Sequence, residues 1–219
     1  MNDIYRWQDH GHIYWSESFK FKWPTGDTRL AGDIHSLTDL DTVVFPLIKN
    51  KRIAIQAGGA MGMWAKRMAQ EFEIVYTFEP TPQSFHCLVS NCPEENIVKM
   101  QAALGEKPGL IKMGDPERAT NYGAFYCQKG GYIPTIRIDD LGLDGCDLLM
   151  LDIEGYELFA LKGARETIAK YRPIIVLEDK GCSSRFGINR GALQHYLIEK
   201  HKYSKFNRFH KEKDLACIP

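Results

Sequence analysis

The sequence has no excess of either charge, since 28 lysine and arginine residues are balanced by 28 aspartate and glutamate residues. A balanced chain has no global attraction to nucleic acid or to an anionic membrane surface. The sequence also has no apolar run long enough to span a bilayer. Its first residues, MNDIYRWQDHGHIYW, are too polar for a secretory signal. We therefore expect a cytoplasmic protein without a membrane partner.

The six cysteines form no C-x-x-C pair, which argues against a structural zinc site and against a disulfide framework. We interpret them as free thiols in a reducing compartment. No metal site is predicted from histidine either. His10 and His12 stand two apart in DHGHIY, but no third ligand is close in sequence, so a surface strand is the favoured interpretation. The cysteines are Cys87, Cys92, Cys127, Cys146, Cys182 and Cys217.

The chain also lacks the two most familiar glycine-rich nucleotide motifs. In RIAIQAGGAMGMW, Gly58, Gly59 and Gly62 follow a short apolar strand. A dinucleotide fingerprint would need glycine in place of Ala60 and Met63, and no Lys-Ser or Lys-Thr follows to complete a P-loop. What remains is a strand, a tight turn and the start of a helix, which together favour an anionic or polar ligand without naming it.

Strand-like and helix-like segments alternate along most of the chain, which predicts an α/β fold with a mainly parallel sheet. We predict one domain over residues 1–219, with an irregular extension at 1–35 that forms a flap or strand pair, and a core at 36–219. Residues 104–135 are expected to form short antiparallel pieces. The predicted strands are RIAIQ, EIVYTFE, NIVKMQAA, CDLLMLDI, RPIIVLED, YSKFNRF and LACI, and the predicted helices are LDTVVFPLIKNK, MGMWAKRMAQEF, TPQSFHCLVSNC, YELFALKGARETIAKY and NRGALQHYLIEK.

Polar side chains end four of these strands, and ligands of open α/β sheets bind beyond the carboxyl ends of the strands. Glu79, in TFEPTP, can accept hydrogen bonds from both hydroxyls of a ribose, which would fit an adenosine-containing cofactor. The alternative is a solvated carboxylate at a strand end. The strand-end residues are Gln56, Glu79, Asp152 with Glu154, and Glu178 with Asp179.

Several segments in this order resemble the FkbM-type methyltransferases over about residues 40–218: IQAGGAMG, YTFEPTPQSFHCLVSN, TIRIDDL, DLLMLDIEGYELFALKGARETI and RPIIVLE. The resemblance implies a Rossmann-like sheet of seven mostly parallel strands with flanking helices and an antiparallel last strand. It also implies S-adenosyl-L-methionine as the cofactor. The expected reaction is methylation of a hydroxyl group on a small-molecule or carbohydrate-like acceptor.

The same resemblance assigns a cofactor site. The glycine turn would pass the methionyl part, Glu79 would bind the ribose, and the end of the third strand would meet the adenine. Gln56 stands where the family usually has an acidic residue, and Ala60 where it tends to have asparagine, so a non-catalytic cofactor-binding homologue remains an alternative. The expected cofactor-binding residues are Gln56, Ala57, Gly58, Gly59, Gly62, Glu79, Pro80, Gln101, Ala102 and Asp152.

A hydroxyl nucleophile loses a proton during methyl transfer, so a base within hydrogen-bonding reach would help. Asp152 is the first candidate because it ends the buried strand LLML, where burial raises the pKa of a carboxyl group. Glu154 and Glu178 are the second choices. Asp152 could instead cap the next helix, and Asp152 with Glu154 could hold Mg²⁺.

Two further patterns favour other functions. EKHKYSKFNRFHKEK mixes lysines with aromatic residues, as in a nucleic-acid methyltransferase that binds the phosphate backbone, but also as in an edge strand protected by lysines. We favour the edge strand. Tyr196 and Lys200 match the Y-x-x-x-K spacing of short-chain dehydrogenases, although the glycine turn departs from that family. Oligomeric state has no signature in this sequence.

Overall fold

The computed structural model describes residues 5–9, 20–24, 37–114 and 122–219, which fold into three sheets and their flanking helices. The strands are β1 (Tyr5–Asp9), β2 (Lys20–Pro24), β3 (Ile53–Ala57), β4 (Ile74–Phe78), β5 (Ile97–Met100), β6 (Ala103–Leu104), β7 (Gly109–Gly114), β8 (Tyr126–Lys129), β9 (Ile133–Ile136), β10 (Leu148–Leu151), β11 (Ile174–Glu178), β12 (Lys205–Phe209) and β13 (Asp214–Ile218). The α-helices are α1 (Met63–Met68), α2 (Pro82–Asn91), α3 (Glu157–Gly163), α4 (Arg165–Tyr171) and α5 (Ala192–His201). Shorter helical turns cover Leu40–Val44, Phe45–Leu47, Tyr122–Ala124, Ile138–Leu141 and Cys182–Phe186.

The largest sheet has seven strands in the order β12-β13-β11-β10-β3-β4-β5. The pairs from β11 to β5 are parallel, whereas β13 runs antiparallel to both β11 and β12. The predicted α/β fold with an antiparallel last strand is therefore confirmed. The strand β12, from the lysine-rich segment, forms an edge of this sheet, as the edge-strand interpretation predicts.

The central strands are buried on both faces, as expected for a parallel sheet covered by helices. In β10, Leu148 and Met150 pack into one apolar cluster while Leu149 and Leu151 pack into another on the opposite face. This alternation follows from the two-residue period of a strand. The two clusters hold the sheet rigid, so the side chains at the strand ends have a fixed frame.

A second sheet of four strands, in the order β6-β9-β7-β8, comes from the region predicted as short antiparallel pieces. Three of its strands pair antiparallel, while β6 and β9 pair parallel. The strand predicted over NIVKMQAA is confirmed over Ile97–Met100 but does not continue to Ala103. The chain leaves the large sheet after Met100, and Ala103 and Leu104 pair with β9 in the second sheet.

Two helix predictions are also corrected. YELFALKGARETIAKY forms two helices, because α3 ends at Gly163 and the φ of Ala164 is −110°. A Cβ on Gly163 would lie 2.0 Å from the carbonyl oxygen of Gly105, so close packing requires glycine at the break. LDTVVFPLIKNK forms a π-helical turn followed by a 3₁₀ turn that contains Pro46. Thr81 is the N-cap residue of α2, but its side chain makes no capping hydrogen bond.

The N-terminal strands β1 and β2 pair antiparallel, which agrees with the strand-pair interpretation of the extension. The backbone of Lys22 is tied to the side chain of Asn91 in α2 by hydrogen bonds of 2.7 and 2.9 Å. His10 and His12 lie outside the described residues. Among the described helices, none is both long and apolar enough to cross a membrane. All six cysteines are free thiols, as predicted, and five of them are buried.

Candidate active site

A cavity of about 350 Å³ opens beyond the carboxyl ends of the parallel strands. Its floor follows the sheet from β4 through β3, β10 and β11 to β13. Seven of the predicted site residues line it: Gly58, Gly59, Glu79, Pro80, Asp152, Glu154 and Glu178. Five others do not: Gln56, Ala57, Gly62, Gln101 and Ala102.

The glycine turn is pressed between two neighbouring strand ends. Gly58 has a φ of +83°, and a Cβ on it would lie 1.9 Å from the carbonyl oxygen of Asp152. The amides of Gly58 and Gly59 both donate to the carbonyl of Phe78, over 3.1 and 2.8 Å. Gly62 has a φ of +93°, and a Cβ on it would lie 2.4 Å from Cys92 Sγ. These glycines are thus required by packing around the cavity as well as by any ligand within it.

Gln56 lies beneath the turn, and its whole amide group is used there. Gln56 Nε2 donates to the carbonyl of Gly58 over 2.7 Å, and the hydroxyl of Thr77 donates to Gln56 Oε1 over 2.6 Å. The residue is fully buried. A neutral amide fits this position because it must donate on one side and accept on the other, which a carboxylate cannot do.

We expect Gln56→Glu to lower the free energy of unfolding at pH 7 by about 1–2 kcal/mol. The substitution keeps the shape but leaves the Gly58 carbonyl facing an acceptor. Urea denaturation followed by circular dichroism measures the change, with the exposed Gln70→Glu as the control for the substitution itself. An unchanged midpoint would show that the Gln56 amide does not hold the turn.

Glu79 joins the end of β4 to the glycine turn. Its Oε2 accepts from the amide of Ala60 over 2.8 Å, and its Oε1 accepts from the amide of Thr81 over 2.7 Å. Burial raises the pKa of this carboxyl to about 7, against the opposing effect of the two amide hydrogen bonds. Each oxygen keeps a second lone pair, so the carboxylate can also accept from a ligand hydroxyl in the cavity.

The third strand end differs from the sequence-based expectation. Gln101 is exposed and Ala102 is buried, and neither lines the cavity. The next two residues, Ala103 and Leu104 in β6, line it instead. The cavity is also lined by apolar and aromatic side chains that the sequence did not single out: Trp64, Met113, Tyr122 and Phe125, of which the last two stack with ring centroids 5.4 Å apart.

Asp152 and Glu178 follow neighbouring strands and form the acidic centre of the cavity. Burial raises the pKa of both carboxyls, and the negative charge of Asp152 contributes to raising that of Glu178 to about 10. Glu178 acts on Asp152 in the opposite sense, since a hydrogen bond from its side chain lowers the pKa of Asp152. Glu178 Oε1 accepts from Lys180 Nζ over 2.6 Å, and Glu178 Oε2 is buried.

Glu154 is held by the loop that follows β11. Its Oε1 accepts from Lys180 Nζ over 2.7 Å, and its Oε2 accepts from Cys182 Sγ over 3.3 Å and from Arg185 over 3.4 Å. Its φ is +55°, and a Cβ on the next residue, Gly155, would lie 2.5 Å from the backbone of Cys182. Through these contacts Glu154 joins the loop that follows β10 to the loop that follows β11.

Three residues of the β12–β13 hairpin that were not predicted as site residues reach the cavity. Asp214 pairs with Glu178 in the sheet, and burial raises its pKa to about 7. His210 Nδ1 lies 2.7 Å from Asp39 Oδ2, and Lys213 is exposed at the rim. An antiparallel last strand starts at the edge where the parallel strands end. The predicted topology therefore places Asp214, the first residue of β13, at the cavity.

The dehydrogenase-like pair lies elsewhere. Tyr196 and Lys200 are in α5, and neither lines the cavity. Tyr196 packs against the apolar cluster beneath the sheet, and its ring centroid is 5.4 Å from that of His201. The described structure therefore gives no support to a dehydrogenase site built on this spacing.

Residues 60–211 match the family model of the FkbM methyltransferase domain. Among solved structures, the fold is similar to that of methyltransferase FkbM from Methylobacillus flagellatus, with a TM-score of 0.59 at 18% identity, covering 83% of this chain and 47% of that protein. This chain thus spans about half the length of that relative.

Two other solved structures are more distant. An rRNA methylase from Streptococcus thermophilus matches with a TM-score of 0.46 at 11% identity, covering 87% of this chain and 95% of that one. The N-methyltransferase NodS from Bradyrhizobium japonicum matches with a TM-score of 0.47 at 12% identity, covering 87% and 98%. Among proteins of curated function, none matches this sequence.

Proposed function

The chain belongs to the FkbM methyltransferase family, and from this premise we propose that it transfers a methyl group from S-adenosyl-L-methionine to a hydroxyl oxygen of a small-molecule or carbohydrate-like acceptor. The observation that carries the proposal is the row of carboxyl groups along one cavity. Glu79 lies at the β4 end, Asp152 and Glu178 lie in the middle, and Asp214 lies at the β13 end.

The residues at the β4 end fit the cofactor. Glu79 has free lone pairs for the two ribose hydroxyls, and Ala103 and Leu104 offer an apolar surface for the adenine. The carboxylates of the central part suit the positive sulfonium and ammonium groups. When bound, S-adenosyl-L-methionine supplies an electrophilic methyl group. The turn at Gly58 and Gly59 would pass the methionyl part, with Gln56 supporting it from below.

The half of the cavity over β10, β11 and β13 is left for the acceptor. Here Asp152 would accept the proton of the acceptor hydroxyl, since burial raises its pKa and so makes it a stronger base. Glu178 would hold the Asp152 carboxylate in place through their shared hydrogen bond. The oxygen that loses its proton would then be the nucleophile for the methyl group.

The acceptor side combines carboxyl groups with aromatic rings. Asp214 and Lys213 form no ion pair with each other in the described structure, so both can bind hydroxyl groups, one as acceptor and one as donor. Tyr122 and Phe125 present stacked rings to the same cavity. A polyhydroxylated ring offers hydroxyl groups to Asp214 and Lys213 and an apolar face to the two aromatic rings. This complementarity supports a carbohydrate-like acceptor.

We expect Asp214→Asn to raise the KM for the acceptor about tenfold while the affinity for S-adenosyl-L-methionine stays the same. Asp214 lies at the acceptor end of the cavity, and a charged acceptor contributes about 1.5–3 kcal/mol to a hydrogen bond. Steady-state kinetics on an accepted substrate and calorimetry with the cofactor separate the two effects. Asp144→Asn, at an exposed position outside the cavity, is the matched control. A loss of cofactor affinity with an unchanged acceptor KM would reverse the assignment of the two halves.

Turnover of S-adenosyl-L-methionine with a panel of hydroxylated acceptors tests the proposal as a whole. Formation of methylated product distinguishes an enzyme from a non-catalytic cofactor-binding homologue, which would bind the cofactor without turnover. A nucleic-acid methyltransferase would instead bind RNA or DNA with a steep salt dependence. The edge position of β12 gives its basic residues Lys205 and Arg208 a structural role that does not require nucleic acid. The buried free thiols support a reducing, cytoplasmic location.

A further inference from the structure

Three side chains beside Asp152 have the spacing of a metal site. One ligand atom each from Glu154, Glu178 and Cys182 lies within 4.8 Å of the others. Lys180 Nζ lies among them, 2.7 Å from Glu154 Oε1 and 2.6 Å from Glu178 Oε1. We propose that the Lys180 ammonium is a built-in cation that occupies the position a divalent metal would take between these two carboxyl groups, and so excludes the metal.

The charges of the cluster require a cation. The side chains of Glu154 and Glu178 are only 7% and 10% exposed, and Asp152 adds a third carboxyl group close by. Buried carboxylates are costly unless a positive group or a proton compensates them. Lys180 supplies one positive charge from within the chain, two residues beyond Glu178, and Arg185, whose Nη1 lies 3.4 Å from Glu154 Oε2, supplies a second. The cluster is therefore compensated without an ion from solution.

The ammonium and a metal ion would compete for the same oxygen atoms. Lys180 already contacts Oε1 of both glutamates, the atoms that a divalent cation would need to bridge them. Mg²⁺ demands oxygen ligands at about 2.0–2.1 Å in octahedral geometry, which leaves no room for Nζ at the same point. A metal can enter only when Lys180 leaves or is removed.

The arrangement also selects among the carboxyl groups. Lys180 engages Glu154 and Glu178, whereas no hydrogen bond or ion pair from Lys180 to Asp152 occurs in the described structure. Asp152 is then the carboxylate left to accept a proton. Lys180 is in this sense a positioning residue, and this consequence for catalysis rests on the proposed function, although the exclusion of metal does not.

Binding of Mn²⁺ to the full chain, measured by electron paramagnetic resonance and by thermal melting, tests the proposal. We expect wild type and Lys180→Arg to bind no Mn²⁺ at millimolar concentration and to melt at the same temperature with and without it. Lys180→Ala should bind Mn²⁺ at least about tenfold more tightly than wild type and should melt higher when Mn²⁺ is present. Lys200→Ala, which removes an exposed lysine of α5 outside the cavity, should bind metal and melt as wild type does.

Binding of Mn²⁺ at this site in wild type would overturn the proposal, and so would a Lys180→Ala variant that melts and binds metal as wild type does. If Lys180→Ala does not fold alone, recovery of the fold by Mn²⁺ supports the proposal and failure to recover contradicts it. Calorimetry with S-adenosylhomocysteine on the same wild-type sample tests the proposed function independently of the exclusion of metal. Absence of that binding would count against the proposed function without changing the metal result.

Discussion

Replacing Asp152 with asparagine should lower turnover by roughly two to four orders of magnitude, the usual contribution of a general base. The variant keeps the shape of the side chain and a hydrogen-bond acceptor for Glu178, but it loses the basic oxygen. The affinity for S-adenosyl-L-methionine should fall far less than turnover, because Glu79 and the glycine turn bind the ribose and the methionyl part of the cofactor at other points of the cavity. Single-turnover kinetics and calorimetry provide the two numbers.

The control for this experiment is Asp144→Asn, which makes the same chemical change at an exposed position outside the cavity. If Asp152 only orients the ammonium group of the cofactor, affinity and turnover should fall together. If it held Mg²⁺, a chelator should inhibit wild type as strongly as the substitution does. Wild-type turnover by the variant would remove Asp152 from the reaction and direct attention to Glu178.

Replacing Glu79 with alanine should raise the dissociation constant of S-adenosyl-L-methionine roughly ten- to a hundredfold. The substitution removes the proposed acceptor of the ribose hydroxyls, and hydrogen bonds to a charged group contribute about 1.5–3 kcal/mol. It also releases the amides of Ala60 and Thr81, which loosens the turn. Turnover at saturating cofactor should change little, because ribose contacts are shared by the ground and transition states.

The pH dependence of binding tests the same residue without a mutation. Because burial raises the pKa of Glu79 to about 7, the carboxyl is charged above that pH and protonated below it. The charged form is the better acceptor, so affinity for the cofactor should be highest above pH 7 and should fall as the pH drops toward 6. Calorimetry at several pH values measures this, and Glu79→Gln should lose the dependence. Equal affinity across this range would contradict the role of Glu79.

The fold could be predicted largely from the sequence, because buried parallel strands are continuous apolar runs that end in polar residues. This pattern is clear in RIAIQ, LLML and RPIIVLE. The carboxyl groups of Glu79, Asp152 and Glu178 stand at predicted strand ends, and all three line the cavity. Because parallel strands all end at the same edge of the sheet, the polar residues at the strand ends predict where the cavity lies.

What could not be predicted depends on contacts between distant segments. Gln56 is a strand-end residue like the others, but its partner Thr77 on the neighbouring strand directs its amide beneath the turn. Ala103 and Leu104 line the cavity in place of Gln101 and Ala102 because β6 pairs with β9. Lys180 is unremarkable in sequence, and only the folded loop brings its ammonium between two carboxyl groups.

A crystal structure with S-adenosylhomocysteine tests the central claim most directly. We predict that the ligand lies along the cavity, with its ribose hydroxyls on the Glu79 carboxylate, its adenine beside Ala103 and Leu104, and its sulfur toward Asp152. Electron density for the ligand at any other surface would contradict this account of the site. So would a crystal grown with saturating ligand in which Glu79 makes no contact with the ligand.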